Sequence, residues 1–196
     1  MYRRTWRTSS TRSDLRSQIY FGAIPSFLQQ WISPLFVGQK RDPAVTGGIG
    51  NSVIGCSFRS SEAYLNRAEA YAQKYLATGD ASAAQSALSD LNALRVKRYD
   101  PSAYQPLGSM TADSLLRFCR NERRRELFSE GHRWFDLRRY GMPSITHYYS
   151  PIAGTVQKYV LNGHDPQYTL QIPPTALLLN PNLSQNPAGP ARNPSN

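Results

Sequence analysis

The sequence predicts an all-α fold of helical hairpins wound as an α-α superhelix, with long irregular loops and an extended C-terminal tail. Three observations carry this. Tyr64, Leu65, Ala68, Tyr71, Ala72, Tyr75 and Leu76 recur with the spacing of one helix face over more than three turns. A second stripe, Ala84, Ala87, Leu88, Leu91 and Leu94, follows after only a short Gly79-Asp80 break. Proline and glycine punctuate the chain before residue 58, and proline, asparagine and glycine gather after residue 143. Two helices of similar length, joined tightly and lined with alanine, can approach closely, as in tetratricopeptide-like repeats.

Taken in order, residues 1–57 predict an irregular segment. Gly38, Pro43, Gly47, Gly48, Gly50 and Gly55 punctuate it, and Pro25 and Pro34 interrupt the apolar run from Ile24 to Phe36. Regular structure starts near Ser60. Gly79 suits the left-handed residue that closes a helix, and Asp80 or Ser82 suits the cap of the next, which Tyr99-Asp100-Pro101 ends. Thr111 is a good cap for a third helix with Leu115, Leu116, Cys119, Arg123 and Leu127 on one face. A shorter fourth helix spans residues 130–140 and stops at Gly141 and Pro143. The tail from Ser144 predicts a short strand at Tyr168–Ile172, one helical turn after Pro174, and an extended end.

The stretch Glu122–Tyr140, ERRRELFSEGHRWFDLRRY, interleaves arginines with acids at helical spacing. Glu122 and Arg125, Arg123 and Glu126, Arg133 and Asp136, and Asp136 and Arg139 are all i,i+3 pairs. Leu127, Phe128, Trp134, Phe135 and Leu137 offer apolar area for guanidinium stems, and Gly131 offers a joint between two helical halves. The block therefore predicts a structural ion network of Glu122, Arg123, Arg125, Glu126, Arg133, Asp136 and Arg139 clasping packed helices.

Charge and composition narrow the function. The net charge of +10 is concentrated: residues 1–41 hold seven bases and one acid, and residues 117–139 eight bases and four acids. The second cluster is interleaved with carboxylates that neutralise it locally, and no nucleic-acid motif accompanies the first, so nucleic acid is not expected as a partner. Carboxylates so surrounded by arginine stay ionised, which suits scaffolding and ill suits a general acid. His132, His147 and His164 lack metal-ligand spacing, there is no glycine-rich phosphate loop, and neither metal, cofactor nor catalysis is expected.

The chain also resembles a known family. ERRREL, then EG, then RWFDLRR is similar to the C-terminal signature of the SusD/RagB family. Upstream RSSEAYLNRAEA (Arg59–Ala70) and downstream QIPPTALLLNPNLSQNP (Gln171–Pro187) are similar to two further stretches of that family, in the same order. The resemblance implies a surface lipoprotein of the outer membrane that captures nutrient, oligosaccharide or less often peptide, for a SusC-like TonB-dependent transporter. It also implies export and a longer chain, so residues 58–196 are expected to be the C-terminal helical domain and residues 1–57 part of the remainder. The lipid anchor is expected to lie outside this chain. MYRRTWRTSSTRSDLR lacks the apolar centre of a signal peptide, and no apolar run reaches the roughly 20 residues of a membrane span. Val53-Ile54-Gly55-Cys56 imitates a lipoprotein processing site, but Asp42, Pro43, Gly47, Gly48 and Asn51 make the preceding segment too polar and broken. Cys56 and Cys119 are read as free or buried thiols.

Sugars present flat apolar faces that stack on Trp and Tyr, and hydroxyls that bond to polar side chains. Candidate ligand-binding residues are accordingly Trp31, in the proline-flanked run, and Tyr148 and Tyr149, placed in a loop after the fourth helix. Burial is the competing reading for each, favoured for Trp31 and narrowly so for the pair. Two other functions fit less closely. One is a tetratricopeptide-like protein-interaction module; the other is a glycoside hydrolase fragment, which needs two carboxylates outside the ion network.

Overall fold

The computed structural model describes residues 13–16, 59–128, 130–150 and 155–191. The chain divides at Gly131 into two compact units.

In the first unit, α1 spans Ser60–Thr78, α2 Ala81–Arg95 and α3 Ala112–Glu126. Helix α1 ends because Gly79 takes φ +72°, a conformation costly for residues with a Cβ, and donates its N–H to Tyr75 O. Asp80 then caps α2, its Oδ1 accepting from Ser82 N at 2.9 Å and Ala83 N at 3.4 Å. Lys74 and Ser82 hold that carboxyl well below the usual carboxylate range. Two stripes meet in the core: Leu65, Ala68 and Ala72 from α1, and Ala87, Leu91 and Leu94 from α2. Leu115, Leu116 and Cys119 of α3, with Leu127 just beyond its end, complete the cluster. Helix α1 is central, packing against both α2 and α3, which meet each other little. Tyr64 and Leu76, on the predicted stripe of α1, lie at its margins and are exposed.

Asn92 and Arg95 hold the segment joining α2 to α3. Asn92 Oδ1 accepts from Leu107 N at 2.8 Å, and its Nδ2 donates to Leu107 O at 3.2 Å. This brings Leu107 and Met110 onto the core. Arg95 lies 4.8 Å from the Tyr99 ring centroid and 5.6 Å from that of Phe118, and donates to Gln105 O. Residues 13–16 join the end of α2, with Leu15 N bonded to Arg98 O and Asp100 N to Ser13 O.

The second unit begins with α4, His132–Arg139. It closes on a Schellman turn in which Gly141 (φ +87°) and Met142 (φ +49°) donate to Arg138 O and Leu137 O. Trp134 of α4 stacks on the fully buried Tyr168, ring centroids 4.9 Å apart, and the Tyr168 hydroxyl donates to Pro143 O. Tyr168 ends a 3-10 turn, Pro166–Tyr168, capped by Asp165. Phe135, expected to cover arginine stems, is 70% exposed.

The hairpin and the stretch Tyr168–Ile172 correct the sequence reading. Ile145–Tyr149 (β1) and Gln157–Leu161 (β2) form an antiparallel hairpin where a loop was expected. Their threonine, valine, isoleucine and tyrosine content favours a pleated, half-buried surface, which five-residue segments between prolines and glycines signal only weakly. Conversely, Tyr168–Ile172 is no strand. Side-chain amides pair with its backbone: Gln185 Oε1 accepts from Ile172 N at 2.8 Å and Gln185 Nε2 donates to Ile172 O at 2.9 Å. Asn186 Nδ2 donates to Leu170 O, and Gln171 Nε2 to Asn186 O and Pro187 O. The turn after Pro174 is a short helix, α5, Pro174–Leu179, with no buried residue. Among the described residues no helix is long and apolar enough to cross a membrane.

Candidate functional site

The described residues singled out in the sequence fall in both units: Glu122, Arg123, Arg125 and Glu126 in the first, and Arg133, Asp136, Arg139, Tyr148 and Tyr149 in the second.

The ion network centres on the C-terminal half of α3. Glu126, fully buried, is the α3 residue on which three arginines converge. Arg98, following α2, grips it from both sides, Nε to Oε2 at 2.9 Å and Nη2 to Oε1 at 2.7 Å. Arg59, the extended residue just before α1, donates Nη2 to Oε1 at 2.7 Å and also pairs with Glu130. Arg16 reaches Oε2 at 3.3 Å. Burial opposes the charge on Glu126, but the Arg98 hydrogen bond and the charges of Arg98, Arg16 and Arg59 outweigh it and lower its pKa. Arg16 is itself enclosed, with Asp14 Oδ2 at 2.9 Å and Glu122 Oε1 at 2.7 Å. Burial again works against its charge, yet Glu122, Asp14 and Glu126 raise its pKa above the ordinary value.

Of the residues named from the sequence, Glu122 pairs with Arg125 at 3.2 Å and Asp136 with Arg139 at 3.1 Å, both at i,i+3 spacing. Arg123 crosses to α1, where it meets Glu62 at 3.1 Å and Asn66 Oδ1 at 2.6 Å. Arg133 stands half-buried on α4. Local spacing therefore accounts for part of the pairing. The heaviest contacts come from Asp14, Arg16, Arg59 and Arg98, which the sequence reading did not select. Arg59 carried a visible signal, because it opens the first family-like stretch; Arg16 and Arg98 carried none.

This arrangement binds helices together. Its carboxylates are enclosed by guanidinium groups and offer no open acid and base pair. Among the described residues no three His, Cys, Asp or Glu side chains are grouped to hold a metal. Burial pushes the Cys119 thiol up to about 12, with Glu69 adding to the effect, so it is no nucleophile near neutrality.

The aromatic candidates lie elsewhere. Trp31 is outside the described residues, as is Cys56. Tyr148 and Tyr149 occupy β1 and are 50% and 58% exposed, so neither takes the buried alternative. As consecutive strand residues they face opposite sides of the hairpin and do not form one platform. Tyr148 is opposite Lys158, and Tyr149 opposite Gln157. His147 and Tyr159 form the next pair on the Tyr149 side, where the Tyr159 hydroxyl donates to Gln157 Oε1 at 3.1 Å.

Compared with protein families, residues 28–188 match the model described as the SusD family. No curated protein matches the chain.

Proposed function

Because the chain belongs to the SusD family, whose members are nutrient-binding proteins of outer-membrane transport, we propose that it captures an oligosaccharide at the cell surface for a SusC-like TonB-dependent transporter. The match over residues 28–188 carries this reading. Residues 58–196 are the family's C-terminal helical domain in this reading, and residues 1–57 belong to the remainder. A lipid anchor would hold the protein at the outer face of the outer membrane, as in the family's surface lipoproteins. The family's proteins bind rather than react, and enclosure of Glu122 and Glu126 by arginine supports the same role here.

The exposed tyrosines of the β1–β2 hairpin supply a surface that sugar rings can stack on. Trp31 is a third aromatic to test. The experiment is calorimetric titration of the full chain with oligosaccharides and, separately, with short peptides. Saccharide binding weakened by substituting the hairpin tyrosines supports glycan capture, and binding of peptides alone moves the ligand class to peptide. A helical-repeat module for protein partners is the second reading, favoured by the packing of α1 against both α2 and α3. Retention of the transporter with no small ligand would select it.

A further inference from the structure

The register of the β1–β2 hairpin divides its two exposed tyrosines between different chemical surfaces. On one face Tyr148 stands opposite Lys158, with Thr146 and Val160 as the adjoining pair. On the other, Tyr149 stands opposite Gln157, and His147 opposite Tyr159. Directly opposed side chains share a face, and diagonal neighbours such as Tyr149 and Tyr159 stand roughly 7–8 Å apart in ordinary sheet geometry. Tyr149 and His147 are exposed, while Gln157 and Tyr159 are half-buried. The outer ring is thus open, and the polar groups beside it are partly ordered.

The hydrogen-bond polarity on this face is defined. The Tyr159 hydroxyl donates to Gln157 Oε1, which fixes the amide so that its oxygen points to the tyrosine and its Nε2 away. No described residue takes a hydrogen bond from Gln157 Nε2, although an amide nitrogen carries two donors. An aromatic face beside an uncharged, oriented donor complements a pyranose: axial C–H groups cover the ring, and an equatorial hydroxyl oxygen at the rim accepts from the amide.

We infer that Tyr149 and Gln157, oriented by Tyr159, form a binding site for one ring of a neutral oligosaccharide, and that the Tyr148 face takes no part in it. The inference rests on the capture reading above and specifies its site. Gln157→Glu keeps an acceptor for the Tyr159 hydroxyl but removes the Nε2 donors, so it tests the donor rather than the fold.

The full chain and its Tyr149→Ala, Gln157→Glu and Tyr148→Ala variants are titrated with malto-, cello-, xylo- and manno-oligosaccharides, and thermal unfolding checks each fold. For the oligosaccharide retained by the unaltered chain, Tyr149→Ala and Gln157→Glu each weaken binding about tenfold, and Tyr148→Ala less than about twofold. Equal loss on Tyr148→Ala overturns the assigned face. Retained affinity in Tyr149→Ala or Gln157→Glu overturns the site while leaving glycan capture standing. If the unaltered chain binds none of these oligosaccharides, site and glycan reading fall together.

Discussion

Arg98 holds both carboxylate oxygens of Glu126, at 2.9 and 2.7 Å, and so ties the end of α2 to the last residue of α3. Those helices touch each other little, so this bidentate pair does joining work that apolar packing does not. Removing the carboxylate takes one counter-charge from Arg16, itself buried, and one from each of Arg98 and Arg59. Glu126→Ala should lower unfolding free energy by about 3–5 kcal/mol in urea denaturation, the usual cost of breaking a buried pair from one side. A loss under about 0.5 kcal/mol would mark the cluster as a solvated surface. Asp136→Ala should cost less than Glu126→Ala, because Arg139, its i,i+3 partner, is nearly half exposed.

The same carboxylate makes stability depend on acid. Its folded pKa lies below the ordinary value, so ionised Glu126 stabilises the fold at pH above the unfolded carboxylate value, about 4.3. That contribution declines as pH falls through the lowered folded pKa. Urea midpoints measured between neutral pH and pH about 3 should therefore decline more steeply for the natural chain than for Glu126→Gln. Parallel curves would show that the arginines around Glu126 do not favour its ionised form.

The sequence discloses what is local. Three helices, the glycine that closes α1 and the aspartate that caps α2 follow from spacing and from residues no more than a few positions apart. The partners of Glu126 do not, because Arg16 and Arg59 lie 110 and 67 positions away and only the folded backbone unites them. The hairpin was hidden for a related reason: each five-residue strand needs the other, and neither segment has a pattern sufficient alone. Reading Tyr148 and Tyr149 as an aromatic pair followed from adjacency, which in a loop keeps rings together and in a strand separates them. The expected strand at Tyr168–Ile172 is absent: Tyr168 ends a 3-10 turn, and Gln185 supplies to Ile172 through a side chain what a neighbouring strand would supply through peptides.

Cys119 offers a separate check on the core. It is buried between the stripes of α1 and α3, and its thiol titrates far above neutrality. In a Cys56→Ser background, reaction with a disulfide reagent at pH about 8 should be slow in the native protein and fast in urea, since only thiolate attacks. Rapid labelling without denaturant would mean that α3 opens readily or sits elsewhere.

Gln185 yields the last prediction. Its primary amide presents one acceptor and one donor to the backbone of Ile172, the same complement a strand residue would present, and Asn186 adds a bond to Leu170 O. Prolines at 173, 174 and 187 deny this stretch backbone N–H donors, so a regular ladder cannot replace the side-chain pairing. Because the contacts are exposed, their net worth to global stability is small, about 1 kcal/mol or less for the pair. Their effect should be local instead. Gln185→Ala should leave the urea midpoint almost unchanged, speed hydrogen exchange at the Ile172 amide, and increase proteolysis within residues 180–191. Gln185→Glu should give an intermediate result, because it retains the acceptor for Ile172 N–H and loses the donor to Ile172 O. Unchanged exchange at Ile172 in both variants would show that the tail is held by something other than this amide.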